Sequence, residues 1–359
     1  MLMENIKILI ADNSPVYTNM FNRAIEEVDD NVTVTCVSNG KDAVDAIIYR
    51  KPDILIVDAE VKDPGLHELI NIVIDETQKT FILVTSRPSS TSAKVLMEAL
   101  SEGASDSMTK PIYDSYNENF DAVKSKISDI IGILRAIGTV KPATGEACEK
   151  RSRKLIKGSI KVKKATTRTF SPQIILIAVS TGGPRALEKI IPALRPDISA
   201  PILIVQHMPP HFIETLAGRL NTKSGLLVKV AEDGEKISGG TVYMAPGGVH
   251  MRLNAENELY LDDSPPINGV RPAADALFES IADDFTGTRI LAIVLTGMGQ
   301  DSLRGLLKLK DKKRCYCIAQ SEKSCVVYGM PRAVIEDGLA NKILDLDKIA
   351  QEIDRFSYL

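Results

Sequence analysis

The first half of the chain alternates short apolar runs with longer segments of helical periodicity. The apolar runs predict five strands, at residues 6–11, 32–37, 54–57, 81–85 and 105–109. Helical spacing predicts helices between them, near residues 15–28, 40–50, 66–76 and 91–102. A further helical pattern closes this half. Because strands and helices in strict alternation form a parallel sheet covered on both faces, we expect an α/β domain with five parallel strands.

Three apolar runs in the second half end close to polar residues of the types used in acyl transfer, namely Ser180, His207 and Asp301. Each run is short and is followed by a helix-like segment. The three side chains should therefore lie at the carboxyl ends of neighbouring parallel strands, where open α/β sheets bind their ligands. The pattern predicts a second, doubly wound and mostly parallel α/β domain that carries a candidate catalytic triad.

The three residue types suit hydrolysis through a serine nucleophile. Ser180 would attack an acyl carbon, and His207 would accept the serine proton and later pass it to the leaving group. Asp301 would orient the imidazole and stabilise its protonated form. Triad members need not be close in sequence, so the spacing of the three residues does not argue against this interpretation.

Backbone amides beside the triad are candidate donors to a developing oxyanion. Thr181 is followed by two glycines and a predicted helix start, and Met298 lies between Gly297 and Gly299. Glycines let the backbone turn tightly. We therefore expect the N–H groups of Thr181 and Met298 to bind the negative charge that forms on the substrate oxygen.

Other residues compete for the roles of base and acid. His250, in the stretch APGGVH, is an alternative base, although a cleft-lining or structural role is expected for it. Asp275, in the stretch RPAADALF, is an alternative acid, for which the helical context predicts a surface or capping position. His67 and His211 are expected at the surface because they lie in polar or loop settings.

Polar residues at the strand ends of the first half should converge on one pocket. They are Asp12, Asn13, Asp58, Thr85 and Lys110. Carboxylates with room for water suit Mg²⁺, and a lysine with a hydroxyl can hold phosphoryl oxygens. Asp58 is therefore the candidate phosphoacceptor, and Asp12 and Asp58 are the candidate Mg²⁺ ligands. The uncharged Asn13 predicts weaker metal binding than a second acid would give.

Length and charge fit a two-domain organisation. The 359 residues suffice for two domains and a linker. Residues 141–170 contain ten Lys or Arg against two Glu, a local charge of +8 in a chain of net charge −3. We interpret this stretch as a solvated interdomain linker, with docking on an acidic partner or nonspecific nucleic-acid contact as alternatives. Because no aromatic residue stands among the charges before Phe170, no nucleic-acid partner is expected.

No segment predicts membrane insertion or export. No apolar run approaches the roughly 18 residues of a membrane span, and the first residues lack a basic flank before an apolar stretch. The five cysteines form an odd set without C-x-x-C spacing, which favours reduced thiols over disulfides or a zinc site. We therefore expect a cytoplasmic protein.

Residues 6–137 resemble a response-regulator receiver domain. The resemblance lies in four motifs that occur in order: ILIADNS, PDILIVD, LVTS and MTKP. It implies a flavodoxin-like fold, phosphorylation of Asp58 by a chemotaxis histidine kinase, and a requirement for Mg²⁺ in that step. A receiver fold kept only as a docking or constitutive module is the alternative.

Residues 173–335 resemble the catalytic domain of chemotaxis response-regulator methylesterases. Six motifs carry this resemblance, in the order AVSTGGP, VQHMPP, MAPGGVH, RPAADALF, LTGMGQD and VVYGMPRA. It implies hydrolysis of glutamate methyl esters on chemoreceptors with release of methanol, a related deamidation of glutamines, and no cofactor for catalysis. It also implies the triad and amide roles given above, with phosphorylation relieving a receiver that blocks the cleft.

Together the resemblances predict a receiver domain at residues 1–138, a basic linker at 139–170 and a methylesterase domain at 171–359. Two functions of other classes stay open. One is a regulatory binding module that keeps the fold but has no catalytic turnover. The complete set of serine, histidine and aspartate argues against it. The other is a receiver-controlled nucleic-acid regulator, against which the lack of a helix-turn-helix pattern after residue 170 argues.

Overall fold

The computed structural model describes residues 5–77, 80–89, 91–139, 171–284, 288–312 and 315–357. The predicted basic linker lies outside these residues except for its first position. The described residues form a five-stranded sheet, a seven-stranded sheet and a two-stranded ribbon. The five-stranded sheet comes from the N-terminal half of the chain, and the other two come from the C-terminal half.

The N-terminal unit is a five-stranded α/β fold. Its strands are β1 (Ile6–Ala11), β2 (Val32–Val37), β3 (Ile54–Asp58), β4 (Phe81–Ser86) and β5 (Asp106–Thr109). Its helices are α1 (Pro15–Val28), α2 (Gly40–Arg50), α3 (Leu66–Thr77), α4 (Ser92–Glu102) and α5 (Tyr116–Thr139). All strand pairs are parallel, in the order β2-β1-β3-β4-β5. This is the flavodoxin-like order, and it confirms the predicted fold class.

Strand order gathers the polar residues of this unit at one edge. The central strands are almost wholly apolar and buried, because helices cover both faces of the sheet. Asp58 and Thr85 are neighbours in the register of β3 and β4, at the carboxyl ends of both strands. Asp12 follows the end of β1, which pairs with β3 on its other side. The pocket residues therefore meet because the strands that precede them are adjacent.

The C-terminal unit is a parallel α/β fold with an added antiparallel ribbon. Its strands are β6 (Ile174–Val179), β7 (Ile202–Gln206), β8 (Leu227–Val230), β9 (Thr241–Met244), β10 (His250–Leu253), β11 (Leu259–Asp262), β12 (Ile290–Val294), β13 (Cys315–Gln320) and β14 (Lys342–Leu344). Strands β10 and β11 form the antiparallel ribbon. The other seven form a parallel sheet in the order β14-β13-β12-β6-β7-β9-β8, which confirms the predicted class.

Helices cover both faces of this sheet. They are α6 (Gly183–Ile190), α7 (Pro210–Lys223), α8 (Ala274–Asp284), α9 (Leu303–Asp311), α10 (Met330–Glu336) and α11 (Leu346–Ser357). Two separate apolar clusters of buried residues reflect the two covered faces. Among the described residues, no helix is both long enough and apolar enough to cross a membrane.

Strand β6 lies between β12 and β7 near the centre of the seven-stranded sheet. All three strands are fully buried and almost wholly apolar, as parallel strands between two helix layers are. Val179 pairs with Gln206, so Ser180 and His207 are the next residues on two neighbouring strands. Asp301 follows β12, on the other side of β6. The expectation of three neighbouring parallel strands is therefore confirmed.

One contact between the two units is made by α4, which packs against α6 and α7. At this contact Ser101 Oγ donates a hydrogen bond to Glu188 Oε1 at 2.9 Å. Arg219 Nη2 donates to Ser101 Oγ at 2.8 Å, and Arg219 Nε donates to Glu188 Oε1 at 3.0 Å. Because a carboxylate and a guanidinium share one receiver hydroxyl, the contact is charge-assisted.

Candidate active site and phosphoacceptor pocket

His207 and Asp301 form a hydrogen-bonded pair at the carboxyl edge of the seven-stranded sheet. His207 Nε2 lies 2.7 Å from Asp301 Oδ2, and the two side chains are 10% and 2% exposed. A buried carboxylate in this position holds the imidazole in one orientation and stabilises its protonated form. Since Nε2 faces Asp301, Nδ1 is the ring nitrogen that remains to accept a proton from Ser180.

The start of helix α8 holds the Asp301 carboxylate. Oδ2 accepts a hydrogen bond from Ala274 N at 2.6 Å, and Oδ1 accepts one from Asp275 N at 3.0 Å. Asn268 Nδ2 donates to Oδ1 at 3.3 Å. Burial is the largest single influence and raises the pKa of Asp301, but His207 and the backbone donors together outweigh it and lower that pKa. The carboxylate is therefore ionised at neutral pH.

Ser180 lies directly after β6, in a tight turn that leads into α6. Its N–H donates to Thr296 O at 3.0 Å, and its carbonyl oxygen accepts from Gln206 Nε2 at 3.0 Å. Gln206 Nε2 also lies 3.3 Å from His207 O, so one buried amide fixes the backbone at both positions. Among the described residues, no hydrogen bond joins Ser180 Oγ to the His207 ring. The structure thus contains the histidine–aspartate bond of the predicted triad and places the serine on the adjacent strand end.

The turns that carry Thr181 and Met298 leave both N–H groups without an acceptor among the described residues. Gly299, after Met298, has a φ of 73°, a left-handed conformation that glycine adopts without strain. Gly297 approaches Ser180 so closely that an added Cβ would lie 2.8 Å from the Ser180 Cβ. The two turns are therefore close to the serine, and the oxyanion role of their amides stays a prediction.

The N-terminal unit reaches the same turn. Thr181 Oγ1 donates to Oδ2 of Asp106 on β5 at 3.1 Å, and Asp106 pairs with Lys126 of α5 at 2.6 Å. Met298 and Val327 pack into the apolar cluster that contains the buried face of α5. The receiver side of the molecule therefore covers the edge of the candidate site next to Ser180.

A cavity of about 830 Å³ remains open beside this contact. Met298 and Gly299 line it from the C-terminal unit, together with Arg332 of α10, and Ile133 lines it from α5. Thr181 is not among the residues that line it. Within the described chain, the N-terminal unit thus covers the Thr181 side of the site and leaves space on the Met298 side.

The alternative base, His250, is engaged on both ring nitrogens. Its Nδ1 accepts from Ala273 N at 3.1 Å, so its Nε2 carries the proton that it shares with Pro265 O at 3.2 Å. The side chain is fully buried. These contacts fix one neutral tautomer and make His250 a structural residue, in line with its expected role.

The alternative acid, Asp275, differs from expectation in one respect. It is 2% exposed, so of the two expected positions, surface or capping, the surface one is wrong and the capping one is found. The reason is that α8 packs closely against α9, and Asp275 Oδ1 accepts from Gly305 N in the first turn of α9 at 2.7 Å. Burial first, and the charge of Asp301 among the other causes, raise the pKa of Asp275. Its contact is thus a helix-terminal cap rather than a bond to His207.

Three residues beside the site were not found by sequence reasoning. Gln206 ends an apolar run, Asp106 begins a short strand of the other unit, and Asn268 lies in the turn INGV. Asn before Gly is typical of a turn with positive φ, which is the one local signal that singles out Asn268. The contacts of Gln206 and Asp106 depend on which strands and units are adjacent, so no local pattern indicates them.

Four of the five residues predicted for the phosphoacceptor pocket are buried together. Lys110 Nζ lies 2.6 Å from Asp12 Oδ2 and also contacts Asp58 Oδ2, and all three side chains are buried. Thr85 is fully buried at the end of the adjacent strand. Asn13 is exposed, at the rim. The arrangement brings a buried cation, two carboxylates and a hydroxyl to one edge of the sheet.

The oxygen donors of this pocket are of the kind that Mg²⁺ prefers. Asp12 and Asp58 supply carboxylate oxygens, which are hard ligands, and the adjacent Asn13 carries an amide oxygen. Among the described residues no cluster of three or more His, Cys, Asp or Glu side chains suited to a metal is present. A Mg²⁺ ion held here would therefore depend on two carboxylates and water.

The fold and the site define a response regulator whose second domain is a mostly parallel α/β enzyme domain. Residues 8–117 match the family model of the response regulator receiver domain, and residues 175–353 match that of CheB methylesterase. The chain belongs to the family of protein-glutamate methylesterases/protein-glutamine glutaminases, which confirms both resemblances.

Relatives of this family match the chain almost from end to end. A protein-glutamate methylesterase/protein-glutamine glutaminase of Desulfotalea psychrophila is 37% identical over 98% of both chains. One of Thermotoga maritima is 36% identical over 97% of both chains. The crystal structure of the Thermotoga maritima CheB methylesterase catalytic domain is 44% identical, with a TM-score of 0.50, and covers 53% of this chain and 100% of that one.

Proposed function

We propose that this chain hydrolyses glutamate methyl esters on chemoreceptors, releases methanol, and deamidates receptor glutamines. The names of the full-length relatives support the reaction class. The observation that carries the proposal is the 2.7 Å bond between His207 Nε2 and Asp301 Oδ2. The two residues follow strands β7 and β12, which flank the strand that ends before Ser180. Such a pair beside a serine is what acyl transfer to a hydroxyl requires.

In the proposed reaction Ser180 Oγ attacks the ester carbonyl carbon while His207 Nδ1 takes the serine proton. The resulting oxyanion lies between the N–H groups of Thr181 and Met298. His207 then protonates the leaving methanol, and water attacks the acyl-enzyme with His207 again as base. Attack on a glutamine side chain follows the same course, with ammonia as the leaving group.

We assign the receiver to residues 1–138, the linker to 139–170 and the catalytic domain to 171–359. The two family matches, at residues 8–117 and 175–353, support this division. Contacts of the receiver with Thr181 and with α6 and α7 support a closed state in which substrate access is restricted. Phosphorylation would shift the population towards an open state.

Phosphorylation is proposed at Asp58, with the chemotaxis histidine kinase as phosphodonor. The buried Lys110 beside Asp58 and Asp12 supports this, because a lysine can neutralise phosphoryl oxygens. A bound Mg²⁺ held by Asp12 and Asp58 would supply further positive charge for the transfer. A cytoplasmic location, without membrane insertion or nucleic-acid partner, is part of the same proposal.

The test is methanol release from receptor membranes that carry radiolabelled methyl esters. The full chain, after incubation with kinase and Mg²⁺, should release labelled methanol, and the Ser180→Ala variant should not. Mass spectrometry of receptor peptides should show the 1 Da gain of glutamine deamidation with the same dependence on Ser180. Equal release by both proteins would rule out Ser180 as nucleophile.

A further inference from the structure

Two buried carboxylates meet beside the candidate active site and share one amide. Asn268 Nδ2 donates to Asp275 Oδ2 at 2.9 Å and lies 3.3 Å from Asp301 Oδ1. Asp275 and Asp301 are each 2% exposed, whereas Asn268 lies in an exposed turn. A surface side chain thus reaches inward to the acid of the candidate triad.

Apart from the bond to His207, the other described contacts of the two carboxylates are with backbone N–H groups. Asp301 Oδ2 is used by His207 and Ala274 N, and Oδ1 accepts from Asp275 N. Asp275 Oδ1 accepts from Gly305 N. Asn268 Nδ2 therefore supplies a side-chain donor to the two remaining positions, Asp275 Oδ2 and the second site on Asp301 Oδ1.

The negative charges of Asp275 and Asp301 are the reason why the Asn268 donor matters. Two buried carboxylates in proximity repel each other, and a hydrogen bond from a neutral amide stabilises both ionised forms. Arg304 of α9 also acts on both carboxylates, but its side chain is 63% exposed and paired with Glu279, so solvent weakens its effect. Asn268 is a neutral donor to both carboxylates, and together with Asp275 N it is one of the two described donors to Asp301 Oδ1.

We propose that Asn268 is a positioning residue that fixes the Asp301 carboxylate so that Oδ2 alone faces His207. The proposal rests on the function proposed above. Loss of the Asn268 amide would leave Asp275 N as the one described donor to Oδ1 and would leave more negative charge on the carboxylate that faces the imidazole. His207 would then be less well oriented for its proton exchange with Ser180.

The chain offers a matched pair of variants for the test. Asn268 has a φ of 53° and Asn257 has a φ of 61°, and both are exposed turn residues. Glycine accepts such φ values without strain, so Asn268→Gly removes only the carboxamide. Asn257→Gly makes the same change in the turn between β10 and β11, where no triad residue is contacted.

The measurement is the pH dependence of methanol release by the full phosphorylated chain. We expect Asn268→Gly to lower kcat about tenfold, the order of one hydrogen bond to a charged group, with little change in KM. The acid limb of the pH profile should move to higher pH by about half a unit, and further in Asn268→Asp, which adds a third carboxylate. Asn257→Gly should behave like the parent protein.

Two results would overturn the proposal. One is an Asn268→Gly profile identical to that of Asn257→Gly. The other is a lower rate with an unmoved acid limb in both Asn268 variants, which is the behaviour of a purely structural turn residue. Absence of methanol release by the parent protein is a different outcome, because it would contradict the proposed function itself.

Discussion

Asp106 of the receiver accepts a hydrogen bond from the Thr181 hydroxyl at 3.1 Å, on the residue that follows Ser180. This places a carboxylate of the regulatory unit beside an amide that we propose as an oxyanion donor. Lys126 pairs with the same Asp106 oxygen at 2.6 Å and offsets its charge, so the contact acts by holding the receiver against the Thr181 turn. The receiver would therefore inhibit by covering the site.

Asp106→Ala should raise basal methanol release about three- to tenfold, because it removes the contact with Thr181 that holds the receiver on the site. The measurement is the initial rate without phosphodonor. Asp121→Ala, an exposed change on α5, is the control and should leave the basal rate unchanged. A basal rate of the Asp106 variant equal to that of the control would show that this contact does not restrain the enzyme.

The Asp301 carboxylate should make stability depend on acid pH. Its pKa is lowered in the folded state, so its stabilising effect is present above the unfolded pKa of about 4 and is lost as pH falls through the folded pKa. We expect Asp301→Asn to lower the free energy of unfolding at pH 7 by about 1–3 kcal/mol. The difference from the parent should shrink below about pH 4 in urea titrations. A difference that is constant with pH would contradict the assignment of an ionised carboxylate.

Ser302, next to Asp301, combines a φ of 89° with a buried hydroxyl that has no partner in the described chain. A left-handed non-glycine residue and an unpaired buried hydroxyl each cost about 1 kcal/mol or more. Ser302→Gly should therefore raise the free energy of unfolding by about 1 kcal/mol, measured by urea titration. A loss of stability would show that the hydroxyl is satisfied or that the local backbone is unstrained.

Asn13→Asp should strengthen Mg²⁺ binding at the phosphoacceptor pocket. A third carboxylate adds negative charge where the donor set otherwise depends on Asp12, Asp58 and water. We expect about a tenfold lower Mg²⁺ concentration for half-maximal phosphoryl transfer from the kinase. Asp58→Asn is the control and should accept no phosphoryl group at any Mg²⁺ concentration. An unchanged Mg²⁺ requirement would place the metal elsewhere.

The sequence was sufficient for the fold class, the five receiver strands and the three strands β6, β7 and β12, because each of these carries its own periodic signal. The remaining strands of the C-terminal unit were not predicted; they are β8, β9, β10, β11, β13 and β14. Runs of buried apolar residues such as 174–179 and 202–206 marked the strands, and helical spacing marked the segments between them. The residue types after three of these runs, a serine, a histidine and an aspartate, then predicted that β12, β6 and β7 are neighbours. The order of strands in the sheet confirms this. Local patterns were enough here because parallel sheets bring strand ends to a common edge.

The rest depends on packing that no local pattern reports. The sequence predicts a surface or capping position for Asp275, and helical periodicity does not show that α8 is buried on most sides, with α9 and β10 packed against it. The contact of Asp106 with Thr181 depends on how two units dock, and the reach of Asn268 depends on the path of a turn. Such features follow from tertiary structure and not from spacing along the chain.

The central claim is that Ser180, His207 and Asp301 act as one unit, and the initial rate of methanol release tests it most directly. Ser180→Ala, His207→Gln and the double variant should all lose activity on the order of 10⁴-fold or more, and the double variant should lose little beyond either single change. Parent-like release by either single variant, or losses in the two single variants that multiply in the double, would contradict the account.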